Sequence, residues 1–166
     1  DLNITKMLSE LMNLPWKEDI LNYSEIVVIL DEQFSEVFNS RAIVFPAEIT
    51  VLNLTSCTEN EIQFLSFRPK TIVVFSSTLD KPTALSLQSI FRNLDNCQGH
   101  VFTSVSEDAA FGLKGFSSKS HDDNEYSNKS RYTMLVEFLQ PAHVEVSYFP
   151  FHTVSLLSSQ VSTVSI

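Results

Sequence analysis

The sequence predicts an α/β domain in which helices cover both faces of a five-stranded parallel sheet with strand order 2-1-3-4-5. The run 72–75 is continuously apolar and β-branched except for its phenylalanine, which is typical of a strand buried on both faces. A helical pattern and a second apolar run at 101–102 follow it, so stretch 70–103 is a βαβ unit. Its strands should be parallel neighbours with a right-handed crossover. Further strand and helix patterns alternate around this unit, which indicates three layers, α/β/α.

The central helix has clear start signals. Asp80 offers a side-chain acceptor for free backbone N–H groups, and the ring of Pro82 is pre-set for a first helical turn. Asn96 and Gly99 are expected to end this helix. Its apolar stripe has helical spacing and comprises Leu87, Ile90, Phe91 and Leu94.

The remaining elements follow from apolar spacing and breakers. Buried or half-buried runs predict the first strand at 25–30, the second at 49–54 and the fifth at 143–149. Helical stripes are expected at 4–11 and 34–38 and, in the last helix, at Tyr132, Leu135, Val136 and Leu139. Ser106 is expected to cap a further helix after the fourth strand.

Composition limits the classes of function. The chain has 166 residues, 43% of them hydrophobic, and we expect one domain over 1–166 with a mobile polar insertion at 112–130. Net charge is −9 with 11 Lys and Arg, which argues against nucleic acid and anionic lipid as partners. No apolar run approaches the ~18 residues that span a membrane, so no direct membrane insertion is expected. Cys57 and Cys97 are expected to be free, buried thiols, with a disulfide as the alternative.

The turn after the first strand argues against nucleotide binding. It reads Leu30-Asp31-Glu32-Gln33, which has no glycine and carries two carboxylates that would repel a phosphate. The whole chain has 3 glycines, and none follows an early strand. These features exclude dinucleotide-binding and P-loop sites, both of which need glycine-rich turns. We expect Asp31 to cap the next helix rather than to bind magnesium.

Other catalytic patterns are absent from the sequence. The strand order resembles that of receiver domains of two-component signalling, but Ser76 and Ser77 stand where the phosphoacceptor aspartate belongs. We expect these serines to form a turn. No Gly-x-Ser-x-Gly elbow occurs, so neither a catalytic residue, a metal nor a cofactor is expected. The histidines, of which His100 and His143 are expected to flank strands, have no metal-ligand spacing: His100, His121, His143 and His152.

Two stretches resemble one known family. Stretch 99–111 reads Gly-His-Val-Phe-Thr-Ser-Val-Ser-Glu-Asp-Ala-Ala-Phe, and stretch 144–156 reads Val-Glu-Val-Ser-Tyr-Phe-Pro-Phe-His-Thr-Val-Ser-Leu. They resemble a strand–turn–helix and the closing strand in the first domain of the Sec/Munc (SM) family of syntaxin-binding proteins. The resemblance covers most of the chain and is nearest the divergent Sec-family domain-containing branch. The insertion 112–130 interrupts the family's helix, and His152 stands where many members carry an acidic residue.

The resemblance implies a function without catalysis. It implies the N-terminal domain of a longer cytoplasmic protein, peripheral to endomembranes, that regulates vesicle-mediated membrane trafficking. The implied partners are a syntaxin-type SNARE or a tethering complex, and the alternative function is an α/β enzyme or nucleotide-binding-like domain without a recognisable site. In several SM proteins a groove between the helix after the fourth strand and the helix before the fifth binds a syntaxin peptide. The matching positions, for each of which core packing is the alternative, are Ala109, Ala110, Phe111, Leu135, Phe138 and Leu139.

Overall fold

A computed structural model of the chain shows a parallel sheet between two helical layers. The structure describes residues 25–43, 45, 47–55, 65, 68–92, 94, 97–107, 130–139 and 143–153. The strands are β1 (Ile26–Leu30), β2 (Thr50–Asn53), β3 (Thr71–Ser76), β4 (Gln98–Thr103) and β5 (His143–Tyr148). The helices between these strands are α1 (Glu32–Ser40), α2 (Lys81–Phe91) and α3 (Arg131–Phe138).

The five strands form one parallel sheet with the order β2-β1-β3-β4-β5, which confirms the predicted fold class. β3 is the central strand, and all six of its residues are buried. Val73 pairs with Val28 of β1 on one side and with His100 of β4 on the other. The unbroken apolar run of β3 is therefore the result of burial on both faces of the sheet.

Alternate residues of each strand pack into two separate cores. Ile72 and Val74 of β3 face α2 and α3, whereas Val73 and Phe75 face α1. Phe75 is the centre of the α1 side, where its ring stacks on another phenylalanine at a centroid distance of 5.1 Å. This phenylalanine cluster comprises Phe34, Phe38, Phe45, Phe75, Phe102, Phe149 and Phe151.

Each of the three helices begins at a residue whose side chain caps it. Asp31 Oδ1 accepts a hydrogen bond from Phe34 N at 2.9 Å, and Asp80 Oδ1 accepts one from Thr83 N at 3.0 Å. Both caps confirm the sequence-based expectation. Ser130 Oγ accepts from Thr133 N at 3.2 Å, so the last residue assigned to the polar insertion is the cap of α3.

The sequence-based prediction for the end of α2 is wrong. α2 ends at Phe91, and Gly99 lies inside β4. A Cβ atom at Gly99 would lie 2.6 Å from Phe91 Cε1 and 2.9 Å from Val144 Cγ2, so this glycine allows close approach between helix and sheet. His100 was expected to flank a strand, but it is 4% exposed and lies within β4 because its ring packs on the phenylalanine cluster.

Several predictions fall on residues outside the described ranges. These are the helix at 4–11, the helix expected after Ser106, the insertion from 112 to 129 and the state of Cys57. Cys97 is described, and it is a free, buried thiol as predicted. Among the described residues, no helix is both long enough and apolar enough to cross a bilayer.

Candidate functional site

The carboxyl ends of β1 and β3 form the switch-point crevice of the sheet. The chain leaves β1 towards β2 on one side of the sheet and later returns to β3 on the other. In open α/β sheets, ligands bind in the crevice at such a switch point. Asp31 follows β1 directly, and Ser77 follows β3.

Asp31 closes this crevice from within. Its Oδ2 atom accepts hydrogen bonds from Ser77 N and from Ser77 Oγ, both at 2.5 Å, while Oδ1 caps α1. The backbone N–H of Asp31 donates to Phe75 O at 3.0 Å, and Ser104 Oγ donates to Ser77 O at 3.3 Å. Both carboxylate oxygens of Asp31 therefore link parts of the chain to each other. Ser76, expected in a turn, is instead the last residue of β3 and is fully buried.

A second concavity lies beside β5, at the edge of the sheet. It is an open groove of about 780 Å³ between the segment that follows β4, the exposed flank of α3 and the second half of β5. We call it the β5 groove. It is lined by Ser106, Glu107, Tyr132, Thr133, Val136, Glu137, Val146, Ser147 and Tyr148.

The β5 groove combines apolar and acidic surface. Val136 and Val146 are only partly buried, and the side chain of Tyr148 is 51% exposed. Glu107 and Glu137 are the charged residues among the lining set, which contains no Lys, Arg or His. The groove is therefore suited to a ligand that has an apolar group and a positive charge.

Tyr132 fixes the inner wall of the β5 groove. Its hydroxyl donates a hydrogen bond to the carbonyl oxygen of Val105, which joins α3 to the segment after β4. Burial, together with the charges of Glu107 and Tyr148, raises the pKa of Tyr132 to about 12. Glu107 Oε1 accepts from Ser130 Oγ at 2.7 Å, so this carboxylate is held at the groove rim. The wall is thus a neutral phenol beside a positioned negative charge.

The structure describes three of the six predicted site residues. Leu135 and Leu139 are 0% and 1% exposed and lie in the core between α3 and the sheet, as the core-packing alternative has it. Phe138 is partly buried and packs against the same core. The other three, Ala109, Ala110 and Phe111, lie outside the described residues, so partner contact by this set stays a prediction.

Sequence reasoning missed the residues of α3 that line the groove. Thr133, Val136 and Glu137 lie on the side of α3 next to its buried face. Val136 was predicted from the sequence to belong to the buried stripe. Helical spacing was the available signal, because Tyr132, Leu135 and Leu139 share one face, and Val136 lies about 100° beyond Leu135.

His100 is a buried titratable group that contacts β5. Its Nε2 lies 3.0 Å from Ser147 Oγ, and its ring stacks on Phe102 at a centroid distance of 4.3 Å. Burial lowers the pKa of His100 to about 4, although Glu145 Oε2 lies 3.6 Å from Nδ1. Glu145 is largely exposed, so solvent weakens its attraction for a protonated ring. His100 is therefore neutral at pH 7 and packs as part of the core.

Metal chemistry and known relatives give no further guide. In the part of the chain that the structure describes, no group of three His, Cys, Asp or Glu side chains could hold a metal ion. A scan against protein-family models finds no match, and a search of curated proteins finds none either. Function is therefore inferred from the two concavities and from the sequence resemblance.

Proposed function

We propose that this chain is a non-catalytic, protein-binding domain of the SM type that regulates vesicle-mediated membrane trafficking. Its partner is a syntaxin-type SNARE or a tethering complex, and it works in the cytoplasm at the surface of endomembranes. The observation that carries this proposal is the open β5 groove. The groove lies between the segment after β4 and the helix before β5, where the SM resemblance puts a peptide-binding surface.

The contacts at the switch-point crevice argue against a nucleotide or phosphoryl site there, which supports a protein-binding role for the domain rather than a catalytic one. A nucleotide or phosphoryl group there would meet the Asp31 carboxylate, whose two oxygens already accept three hydrogen bonds from the chain. Breaking those bonds would leave Ser77 N–H and the first turn of α1 without their acceptor, at a cost of about 1–3 kcal/mol for each buried group. In the β5 groove, the lining residue Ser147 has its hydroxyl 3.0 Å from Nε2 of His100, but His100 stacks on Phe102 on the α1 side of the sheet, away from the α3 wall of the groove.

The size and charge of the β5 groove suit a protein segment. Its volume of about 780 Å³ is sufficient for a few side chains. One apolar side chain buried between Val136 and Val146 would contribute roughly 1.5–3 kcal/mol. The net charge of −9 and the rim carboxylates favour a basic partner, so added salt should slow association.

Titration of purified cytoplasmic fragments of syntaxin-type SNAREs tests this proposal. The variant Thr133→Arg places a long side chain in the groove, since Thr133 is exposed and lines it. Ser86→Arg is the matched control, because Ser86 is exposed on α2 and does not line the groove. We expect at least one fragment to bind wild type and Ser86→Arg equally, and Thr133→Arg at least tenfold more weakly.

Two results would count against the proposal. If no SNARE fragment binds the wild type at high micromolar concentration, the SNARE assignment is wrong and a tethering complex remains to be tested in the same way. If a fragment binds Thr133→Arg as tightly as wild type, the partner surface lies elsewhere. Unfolding midpoints of both variants show whether each is folded before binding is compared.

A further inference from the structure

β5 borders the groove at the outer edge of the described sheet. Three consecutive residues, Val146, Ser147 and Tyr148, line the groove. Successive side chains of a strand point to opposite faces of the sheet. Val146 packs on the α2 and α3 side, whereas the Ser147 hydroxyl bonds to His100 on the other side. β5 is the outermost strand of the described sheet, so the groove that touches these residues borders the outer edge of the sheet.

The backbone of β5 presents hydrogen-bonding groups to this edge. The N–H of Phe149 donates to Thr103 O at 2.7 Å, so it points towards β4. Backbone groups of alternate strand residues point in the same direction, so the N–H and C=O groups of Ser147 also point towards β4. Val146 and Tyr148 therefore direct their N–H and C=O groups away from β4. Among the described strands, β4 alone pairs with β5, so no described strand uses these groups.

Exposed edges of this kind are places where another strand can pair. β5 has six residues, and Glu145 is its one residue with a fixed charge, so little in its sequence blocks pairing. In strand addition, main-chain hydrogen bonds supply affinity, and alternate side chains of the added segment select the partner. A helix satisfies its own backbone groups and could not use this edge.

We propose that the partner adds an extended segment to the outer edge of β5 as a sixth strand. An apolar side chain of that segment packs between Val136 and Val146, and a lysine or arginine lies near Glu107. The charge of the lining set supports this occupant, because it contains carboxylates and no cationic side chain. The inference rests on the proposed function and names how the same groove takes its partner.

The pair Val146→Pro and Val146→Ala isolates the backbone contribution. Both variants shorten or reshape the same side chain, but only proline removes the N–H that faces the edge. That N–H donates nothing to β4, so proline at this position should be tolerated as it is on natural edge strands. The probes are a labelled nine-residue peptide of alternating valine and lysine, a peptide of the same composition with its lysines grouped, and the SNARE fragments used above.

We expect the alternating peptide to bind wild type at least tenfold more tightly than the grouped peptide, by fluorescence anisotropy. Val146→Pro should weaken binding at least tenfold relative to Val146→Ala, and Glu107→Gln should weaken it and reduce its salt dependence. Equal binding to the proline and alanine variants, or no preference for the alternating peptide, would overturn strand addition.

N-methylated peptides keep the test decisive if the proline variant does not fold. Methylation of the peptide amides that face β5 should abolish binding to wild type, and methylation of the alternate amides should not. Loss of binding with no two-residue period would refute pairing. If SNARE fragments bind both Val146 variants equally but not Thr133→Arg, the proposed function stands and strand addition fails. If the alternating peptide pairs with β5 while no SNARE fragment binds, strand addition stands and the SNARE assignment fails instead.

Discussion

Asp31 and Asp80 cap their helices in the same way, so comparing the stabilities of their alanine variants shows how much the other contacts of Asp31 at the switch-point crevice contribute. Both precede a helix in extended backbone, with φ of −80° and −85° and ψ of 173° in each case. Their cap hydrogen bonds are 2.9 and 3.0 Å long. They differ in the second carboxylate oxygen, which in Asp31 also accepts from Ser77 N and Ser77 Oγ. The difference between their alanine variants therefore reports the link between β1 and β3.

The magnitudes follow from the contacts that each substitution removes. Loss of an N-cap costs about 1 kcal/mol, so Asp80→Ala should lower the free energy of unfolding by about that amount. Asp31→Ala also removes two hydrogen bonds to a carboxylate and leaves the partly buried Ser77 N–H without its acceptor. A buried donor left without its acceptor costs about 1–3 kcal/mol, and with the cap of about 1 kcal/mol this gives about 2–4 kcal/mol in total for Asp31→Ala.

Urea unfolding monitored by circular dichroism, with wild type and both variants in one buffer, provides the assay. For a chain of this size the difference of about 1–3 kcal/mol between the variants corresponds to several degrees in Tm. Ser77→Ala combined with Asp31→Ala in a double-mutant cycle should show coupling between the two side chains. If Asp31→Ala costs no more than Asp80→Ala, the closure of the crevice contributes nothing to stability and the reasoning is refuted.

Three further predictions concern buried groups. Gly99→Ala should lower the free energy of unfolding by about 1–3 kcal/mol in urea, since its Cβ would meet Phe91 at 2.6 Å; a neutral change would contradict the packing. The pKa of His100 is lowered from 6.5 to about 4, so only the unfolded chain binds this proton between those values. Stability should therefore fall as pH decreases from 6.5 towards 4, and His100→Gln should flatten that decline in pH-dependent melting. Burial raises the pKa of Cys97 to about 11, so iodoacetamide at pH 8 should modify it, by mass spectrometry, far faster in urea than in buffer.

Local sequence patterns were sufficient to predict most of the sheet. The strand over 72–75 and the strand Ile26–Leu30 were identified because burial on both faces leaves an unbroken apolar run. The starts of α1 and α2 were identified because capping depends on residues within one helical turn of each other.

Features that depend on tertiary contact were not predicted. The pattern of α2 continues to Leu94, but the helix ends at Phe91, where the ring lies over Gly99 of β4. Nothing near Gly99 in sequence reveals that contact. His100 was misplaced for the same reason, because its neighbours come from β5 and from the phenylalanine cluster.

Partner contact by the six predicted site residues stays a prediction, because three of them lie outside the described residues and Leu135, Phe138 and Leu139 are not among the described lining residues of the β5 groove. The composition of that groove was not predicted. Its lining residues come from 106–107, 132–137 and 146–148, which are brought together only by the fold. Which residues of α3 face the groove depends on how the helix is rotated about its axis over the sheet. Which residues of β5 direct their backbone groups outward depends on which of them form hydrogen bonds with β4.

Hydrogen–deuterium exchange with and without a bound SNARE fragment tests most directly that the β5 groove is the partner-binding surface. We predict that binding slows amide exchange in α3 and in β5, above all at Val146 and Tyr148, and leaves the amides around Asp31 and Ser77 unchanged. Protection confined to the carboxyl ends of β1 and β3, with none in β5, would contradict the account and would assign the ligand to the switch-point crevice.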